Sequence, residues 1–570
     1  MHIKSSTNIL IAIAGATFCA ALGPWVARAG TVSGTISGRD GKPITAAMIT
    51  VSDTRRGLAE SVFSDAKGKF VLETRMVGDL TLRVRKPYMR DLRTDIHLEP
   101  VARKAVKLTL KRMRSDQEIS DSLPAAYHFG HIPFQPGTPF ERRQFQRDCL
   151  TCHQLGNPFT RLVMPADAWS IIVKQMHGWL GNFDAGLRDR RAQLLASGFD
   201  GKPLTVRPEF PADPLLARAK ITQYRLDQAV VPHDAEVSSI DGLVYTVDEG
   251  ADQMAITNLQ TAETQYVKAP PAGSPPGGKF GSPPLFNMLV ARGPHSLALG
   301  PDNKWYVTDA FAGAVAIFNP MMMQWEPPHD IGGKALYPHT IRFDRQGMAW
   351  FTIAYSDQIG RFDPTSGKID VIDLPSLKPT GIAAVTVPYG LDVNPNDGTV
   401  WYARLYGDKI GRIDPHTLAI TEFESPVKGP RRLRFDKEGT LWVAGFSEGE
   451  LARIETADFK SKVYKLPEFA PGYAPAAYAL GIDPKTQDVW INEIMTDHVY
   501  RFLRREERFV AYPMPLRGTY TREMSFTNDG RVCMSNNPVP KAALEGGVVE
   551  LICIDPEGLA REHTHKGTDS

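Results

Sequence analysis

The sequence predicts a mainly β protein with three parts: an N-terminal β-sandwich, a small α-helical segment and a C-terminal seven-bladed β-propeller. Three observations predict this fold class. Short runs of alternating apolar and polar residues occupy the chain up to about residue 112. A tryptophan motif recurs every 40–50 residues in the C-terminal half. Gly and Pro number 48 and 44 of 570 residues, which is typical of a chain with many turns.

The first 29 residues are expected to be a secretory signal peptide. Lys4 supplies a positive charge, residues 9–22 form an apolar run, and Ala27-Arg28-Ala29 offers a cleavage site of small residues. The alternative is an uncleaved anchor, although the run is short and interrupted for a membrane span. We therefore expect a periplasmic protein, cleaved near Ala29, with no membrane span after cleavage.

Net charge excludes one class of partner. The whole chain has 66 Lys and Arg against 64 Asp and Glu, and removal of the signal takes away two basic residues and no acidic one. A neutral balance offers no basic stripe for a phosphate backbone, so we expect no nucleic-acid partner. No G-x-G-x-x-G follows a strand-like run and no G-x-x-x-x-G-K occurs, so nucleotide cofactors are not expected either.

Residues 30–112 are predicted to form the β-sandwich. Strand-like runs begin near Thr31, Ala47, Lys69 and Leu80, with turn-forming residues between them. The frame of Gly34-Thr35-Ile36, Gly41-Lys42-Pro43-Ile44, residues 47–51 and residues 65–70 resembles the carboxypeptidase regulatory-like domain. The resemblance implies a structural or docking module. We find in this part no set of His, Cys or paired carboxylates that suggests chemistry.

Residues 113–230 contain the motif Cys149-Leu150-Thr151-Cys152-His153, the C-x-x-C-H of c-type haem attachment. Two thiols at this spacing can both bond the haem vinyl groups, and the following histidine can then ligate the iron. The motif predicts covalent haem c on Cys149 and Cys152, with His153 as axial ligand. The alternatives are a redox disulfide and one half of a zinc site, which needs two more ligands.

Residues 167–177 have helical periodicity, and Asp167 is the predicted N-cap. The segment resembles the W-x-x-I/V-V-x-x-M stretch that follows the haem motif in many small cytochrome c domains. That resemblance implies Met176 as the sixth iron ligand and makes residues 113–230 a cytochrome c-like haem segment. The alternatives are Met164, His177, His128 and His131 as the ligand, or Met176 as a core residue packed against the haem.

Residues 231–560 are predicted to be the propeller, and residues 561–570 a polar tail. Trp350, Trp401, Trp442 and Trp490 head successive copies of one motif at separations of 51, 41 and 48 residues. Units of that length with about four short strands each are typical of propeller blades. Earlier copies follow Pro294 and Pro338, and weaker copies start near His233 and Arg522, which makes seven. In the last copy, Cys533 and Cys553 lie on strand-like runs and are predicted to form a disulfide, the alternative being two buried thiols.

The repeat places one residue of each blade toward the central channel. On the first strand these residues are His233, His295, His339, Tyr389, Arg431, Tyr478 and Arg522. On the next strand they are Asp248, Asp309, Ile353, Arg404, Gly445, Glu493 and Asn536. Structural positions in repeats are usually apolar, so this polar ring predicts a functional site at the propeller mouth, the alternative being a solvated mouth.

The polar ring also suggests roles for its members. An imidazole beside a carboxylate suits proton transfer, so His295 is the predicted general base and Asp309 the residue that orients it. Arg431 would stabilise negative charge, and His339 and Tyr389 would position the substrate. Glu493 is the predicted ligand for a divalent metal such as Mg²⁺.

The blade motif over about residues 290–515 resembles the virginiamycin B lyase family. The resemblance implies a seven-bladed propeller that uses a His and a Glu fourteen residues apart, with Mg²⁺ nearby, to break an ester C–O bond by elimination. His295 and Asp309 have that spacing with Asp in place of Glu. His339 is followed at that spacing by Ile353, and Glu493 follows Tyr478 where the histidine should be. No blade keeps the complete pair.

Two features of the chain favour different chemistries. Elimination moves no net electrons, whereas a covalent haem is suited to electron transfer. The sequence therefore favours an enzyme, an exported haem-dependent oxidoreductase acting on a small organic molecule at the propeller mouth. A periplasmic electron-transfer protein is the further expected partner. The alternatives are a streptogramin lyase-type C–O lyase with an accessory haem module, and a binding or scaffold propeller.

Overall fold

The computed structural model describes residues 30–135, 139–280, 290–333 and 335–559. The predicted signal peptide and the predicted polar tail lie outside these residues. None of the helices in the described ranges is both long and apolar enough to cross a bilayer.

The N-terminal β domain is a sandwich of two sheets. Its strands are β1 (Gly30–Gly38), β2 (Met48–Asp53), β3 (Leu58–Phe63), β4 (Lys69–Thr74), β5 (Gly78–Arg85), β6 (Leu92–Leu98) and β7 (Arg103–Leu110). The order β4-β1-β7 forms one sheet, and β3-β2-β5-β6 forms part of the other. Val32 and Leu72 on the first sheet share a buried core with Val51 and Leu82 on the second. This alternation of buried and outward residues is what the sequence pattern predicts.

Five helices follow the sandwich: α1 (Asp116–Ser122), α2 (Ala125–Gly130), α3 (Pro139–Cys149), α4 (Ala166–Trp179) and α5 (Ala185–Gly198). Their buried Phe129, Phe145 and Trp169 belong to the same core as Tyr478 and Tyr520 of the propeller. The helical segment therefore packs directly on the propeller. A 3₁₀ turn at Pro214–Arg218 leads into strand β8 (Lys220–Arg225).

The helix predicted over residues 167–177 is α4, but the predicted N-cap is wrong. The N-cap position is occupied by Pro165, which makes no side-chain capping bond, and Asp167 lies inside the first turn. A carboxylate there still favours the positive end of the helix dipole, which explains why the sequence suggested a helix start.

The propeller contains seven sheets. The first four comprise β9 (Pro232–Val237), β10 (Val244–Asp248), β11 (Gln253–Thr257) and β12 (Thr264–Lys268); β13 (Pro294–Leu299), β14 (Trp305–Asp309), β15 (Ala314–Asn319), β16 (Gln324–Trp325) and β17 (His329–Asp330); β18 (Pro338–Phe343), β19 (Ala349–Ile353), β20 (Gln358–Phe362) and β21 (Ile369–Asp373); and β22 (Pro388–Val393), β23 (Val400–Arg404), β24 (Lys409–Ile413) and β25 (Ile420–Glu424). The last three comprise β26 (Pro430–Phe435), β27 (Thr440–Gly445), β28 (Glu450–Glu455) and β29 (Ser461–Lys465); β30 (Ala477–Ile482), β31 (Val489–Glu493), β32 (His498–Leu503) and β33 (Arg508–Pro513); and β34 (Thr521–Phe526), β35 (Val532–Asn536) and β36 (Glu550–Asp555). Short 3₁₀ turns lie at Gly278–Phe280 and Lys541–Ala543.

The first strands of the seven sheets contact one another in a closed ring, β9-β13-β18-β22-β26-β30-β34 and back to β9. The seventh sheet obtains its fourth strand from β8, which pairs with β36. This strand lies within residues 113–230, which the sequence predicted to be the haem segment. Because β8 precedes the first blade and completes the last, it closes the ring, and its other edge pairs with β3 of the sandwich.

The repeated motif is explained by packing within and between blades. Trp350, Trp401 and Trp442 are fully buried. In the I-G-R part of the repeat, a Cβ on Gly411 would lie 2.0 Å from the ring of Tyr402 on the adjacent strand. Only glycine allows that approach, so this residue marks the contact in the sequence.

The predicted disulfide is present between Cys533 and Cys553. The two residues are opposite each other on β35 and β36, and β36 pairs with the closing strand β8.

Candidate functional site

A cavity of about 680 Å³ lies between the helical segment and the propeller mouth. Its helical wall includes Cys149, Cys152, His153, Met176 and His177. Its propeller wall includes His233, His295, His339, Tyr389 and Glu249. The two candidate sites that the sequence suggested separately therefore share one cavity.

The C-x-x-C-H loop is held against the propeller by hydrogen bonds. The Tyr520 hydroxyl donates to the carbonyls of Leu150, at 2.9 Å, and Thr151, at 2.8 Å. Arg431 donates to the same Thr151 carbonyl at 3.0 Å. Because Cys149 ends α3 and these bonds fix the residues after it, the loop has a defined position over the mouth.

The loop residues fit a covalently attached haem. Both thiols are free. The His153 Nδ1–H donates to the Gln154 carbonyl at 2.7 Å, so Nε2 carries the lone pair that an iron ligand needs. The cavity volume is within the roughly 300–1,000 Å³ of cofactor pockets, and most of its lining is apolar or aromatic.

The two other interpretations of the motif fit less well. Burial raises the pKa of the Cys149 thiol to about 12. A redox-active dithiol needs a lowered thiol pKa instead. Within the described ranges, neither cysteine belongs to a group of three potential metal ligands, so the zinc interpretation lacks its remaining ligands.

Two of the proposed sixth ligands lie on the cavity wall. Met176 and His177 on α4 line the cavity, whereas Met164, His128 and His131 do not. His128 is buried, and its Nε2–H donates to the Ser120 carbonyl at 3.0 Å. Of the candidates for the sixth ligand, Met176 and His177 are therefore the two that border the cavity.

The structure brings the first-strand residues of the mouth together. Ring centroids are 3.7 Å apart for His233 and His295, 4.0 Å for His295 and His339, and 3.9 Å for His339 and Tyr389. Arg431 donates to the Tyr389 hydroxyl at 2.7 Å and lies over the Tyr389 ring. In every blade, the pairing of the first two strands shifts register beside the first-strand residue that lies at the mouth. Such β-bulges re-aim a side chain, here toward the centre of the ring.

The mouth histidines are poor bases. Burial, with nearby positive groups, lowers the pKa of His233 to about 3. Burial and the neighbouring rings hold the pKa of His295 well below its ordinary value, and burial together with Arg432 does the same for His339. All three imidazoles are therefore neutral at neutral pH, and the predicted role of His295 as general base is not favoured.

The predicted carboxylate partners are placed elsewhere. Within the described residues, no hydrogen bond joins Asp309 to His295, and Asp309 does not line the cavity. Asp309 instead accepts from Arg292 Nε at 2.7 Å and forms a buried ion pair with it. Asp309 can reach Arg292 because it ends β14 opposite Pro294, beside the loop that contains Arg292.

The carboxylate of Glu493 stabilises the turn that follows its own strand. It accepts from the backbone N–H groups of Met495, Thr496 and His498, and from the Thr496 hydroxyl. Because these bonds use both oxygens, Glu493 is not available to a metal at the mouth. Glu493 is therefore not the carboxylate that would hold the Mg²⁺ implied by the lyase resemblance, and it is not among the described residues that line the cavity.

Sequence reasoning missed Glu249. This residue lines the cavity and accepts a hydrogen bond from the Tyr337 hydroxyl at 2.7 Å. Burial raises the pKa of Glu249 to about 7, with a smaller opposing effect from Tyr337. The repeat indicated the preceding residue, Asp248, instead. The carboxylate of Asp248 accepts hydrogen bonds from the backbone N–H groups of Val230 and Val231.

Comparison with known proteins agrees with two of the resemblances. Residues 287–535 match the virginiamycin B lyase family, and residues 31–111 match the carboxypeptidase regulatory-like domain. The propeller is virginiamycin B lyase-like. No curated protein matches the chain. The matched propeller range contains His295, His339 and Tyr389, whereas residues 149–153 and Glu249 lie outside both ranges.

Several solved structures are similar to the lyase-like propeller. Selenomethionine-substituted virginiamycin B lyase from Staphylococcus aureus is 18% identical, covers 59% of this chain and 99% of its own, and has a TM-score of 0.47. A streptogramin B lyase is 17% identical over 59% of this chain and 97% of its own, with a TM-score of 0.48. Hydrazine synthase from Kuenenia stuttgartiensis is 14% identical over 57% of this chain and 96% of its own, with a TM-score of 0.43.

Proposed function

We propose that this protein is a periplasmic c-type haem protein that acts as an oxidoreductase on a small organic substrate. The observation that carries the proposal is the shared cavity, in which the C-x-x-C-H loop faces the mouth of the lyase-like propeller. Two separately recognisable features of the sequence meet in one space, which is the arrangement expected when a cofactor and a substrate react with each other.

The haem would be held by residues of the helical segment. Cys149 and Cys152 would form the thioether bonds, and His153 and Met176 would ligate the iron. A bound haem supplies one-electron exchange at its iron. Electrons taken from a substrate must leave the protein, so a periplasmic electron-transfer protein is the proposed partner.

The propeller residues would bind the substrate and manage its proton. Phe280, Phe311 and Tyr355 form an aromatic part of the cavity wall, which favours an apolar or aromatic molecule and excludes water. Glu249 has a pKa near 7, so its carboxylate can accept or release a proton in the neutral range. Oxidation of an organic molecule usually releases protons with electrons, and Glu249 is the group placed to take one.

The lyase alternative receives less support from the site. The family chemistry implied by the resemblance needs a histidine and a carboxylate on one blade. Here Asp309 pairs with Arg292, and Glu493 is bound within its own turn. Among the described residues, neither of these two carboxylates is therefore paired with a mouth histidine.

The first experiment tests haem attachment. The full chain is produced in a host with cytochrome c maturation machinery, denatured, and stained for haem on a gel. We expect the wild type to keep its stain and a Cys149→Ala/Cys152→Ala double variant to lose it. A Cys533→Ala/Cys553→Ala variant is the matched control and should keep the stain. An unstained wild type would contradict the proposal.

The second experiment tests redox function. Small aromatic and phenolic compounds are added to the oxidised protein, and the reduced-minus-oxidised spectrum is recorded. The proposal is supported if a compound reduces the haem and if Glu249→Gln abolishes this reduction or slows it at least tenfold. If a compound is turned over at the same rate with oxidised and with reduced haem, the lyase is favoured instead.

A further inference from the structure

The propeller wall of the cavity contains a group of potential metal ligands that is separate from the C-x-x-C-H loop. His233, Asp234 and His295 each offer a ligand atom, and these atoms lie within 4.8 Å of one another. The ring of His339 lies against that of His295, tilted, with 4.0 Å between the centroids. All four side chains are buried, and the three histidines line the cavity.

Two nitrogens of this group have unmet hydrogen-bonding capacity. His295 Nδ1 and His339 Nε2 are buried and have no hydrogen-bond partner among the described residues. A buried polar atom left unsatisfied costs about 1–3 kcal/mol, so a native protein usually provides a partner. A ligand that accepts nitrogen lone pairs would meet this need at both atoms.

The surrounding contacts orient the rings in the manner of a metal site. The His233 Nδ1–H donates to Asp234 Oδ1 at 3.0 Å, which leaves Nε2 as the nitrogen with the lone pair. Asp234 is fixed in turn by Arg432, which donates to its two oxygens at 2.9 and 3.0 Å. A carboxylate that holds the far nitrogen of a ligating histidine is the common outer shell of zinc sites. His339 Nδ1 lies 3.0 Å from the Thr340 hydroxyl, and His339 Nε2 is the ring nitrogen without a hydrogen-bond partner among the described residues.

We propose that His233, His295 and His339 bind one divalent transition-metal ion of the zinc and copper class, with Asp234 as a positioning residue. Three imidazoles suit borderline ions such as Zn²⁺ and Cu²⁺ rather than Mg²⁺, which prefers oxygen ligands. Three histidines also leave a fourth coordination position open, and this position would face the cavity. An oxygen atom of a small molecule could then be polarised there, independently of whether haem is attached.

The site requires a rearrangement that an experiment can detect. The ring centroids of His233 and His339 are 6.4 Å apart, and each of these rings lies against the His295 ring at a tilted angle. Metal binding must therefore rotate the rings about their side-chain bonds to bring three nitrogens to one ion. Coordination by nitrogen has its own spectroscopic signature, which a merely structural cluster would not produce.

The test uses the full chain without a histidine tag, treated with EDTA and dialysed. Zn²⁺, Cu²⁺ and Mg²⁺ are titrated separately by calorimetry, and the Cu²⁺ complex is examined by electron paramagnetic resonance. We expect one Zn²⁺ or Cu²⁺ per chain, nitrogen hyperfine splitting from Cu²⁺, and no Mg²⁺ binding. Asp234→Asn should weaken Zn²⁺ binding about 10–100-fold, and His339→Ala should weaken it more.

Exposed His416 provides the matched control, and His416→Ala should bind Zn²⁺ as the wild type does. Circular dichroism shows whether each variant is folded. If a variant is unfolded, the copper spectrum of the wild type still tests the proposal. The proposal is overturned if neither Zn²⁺ nor Cu²⁺ binds, if the copper spectrum lacks nitrogen ligands, or if folded His339→Ala binds Zn²⁺ unchanged. Equal affinity for Mg²⁺ would also overturn it. Haem staining is unaffected by any of these results, so this test and that of the proposed function fail separately.

Discussion

Glu249→Gln should stabilise the protein above pH 7 and leave it nearly unchanged in mild acid. Burial raises the pKa of Glu249 from 4.5 to about 7. The unfolded chain therefore ionises this group near pH 4.5 and the folded chain near pH 7. Between these values the folded state binds the extra proton, so the stability of the wild type falls as the pH rises. The loss is complete above about pH 7.

The size of the effect follows from the two pKa values. One pKa unit corresponds to about 1.4 kcal/mol, so the ionised Glu249 costs the folded protein about 3 kcal/mol. Glutamine carries no charge, and its carbonyl oxygen can still accept the hydrogen bond from Tyr337. In a large unit this free energy corresponds to a rise in melting temperature of no more than about 6 °C.

Thermal melts at pH 4.5 and pH 8, both in EDTA, provide the measurement. The melting temperature of Glu249→Gln should exceed that of the wild type by several degrees at pH 8, and the difference should nearly vanish at pH 4.5. Glu263 is exposed, and Glu263→Gln should match the wild type at both pH values. The reasoning would be refuted if the difference in melting temperature between Glu249→Gln and the wild type were independent of pH. It would also be refuted if Glu249→Gln melted at a lower temperature than the wild type at pH 8.

Two further predictions concern the closing blade and a buried ion-pair cluster. Replacing Cys533 and Cys553 by alanine opens a cross-link over 20 residues of sequence and should cost about 3 kcal/mol in the loop-entropy model. Dithiothreitol should then lower the melting temperature of the wild type but not of the variant, and alkylation of Cys533 and Cys553 in the untreated wild type would contradict this. Arg432→Met leaves Asp234 and Glu523 buried without their shared guanidinium and should cost about 3–5 kcal/mol in thermal melts. If Arg432→Met melts at the same temperature as the wild type, the ion-pair cluster does not contribute to stability.

Much of the fold could be predicted because propeller blades repeat local patterns. Trp350 and Trp401 occupy equivalent buried positions, and Gly411 marks where an aromatic ring covers a neighbouring strand. These requirements recur from blade to blade, so they are visible as a pattern that returns every 40–50 residues of sequence. The pairing of β8 with the seventh blade was missed, because it joins residues more than 300 positions apart and depends on closure of the whole ring.

The candidate site was predictable only in part for the same reason. The repeat placed His295, His339 and Tyr389 at equivalent positions, and the structure brings them together. It also suggested Asp309 as a partner for His295, but spacing along a strand does not show which way the last residue of the strand turns. Arg292 in the preceding loop takes that carboxylate. Haem attachment at residues 149–153 stays a prediction of the motif.

The sequence by itself determined the β-sandwich, the period of the blades, the C-x-x-C-H motif and the identity of the residues at the propeller mouth. These features depend on contacts between neighbours along the chain, which leave a pattern in residue order. Only the tertiary structure decided that the motif and the mouth line one cavity, and that Glu249 lies in it with a raised pKa. Those properties depend on how the helical segment packs on the propeller and on the burial that follows. No local pattern records such packing, because the residues that meet are far apart in the chain.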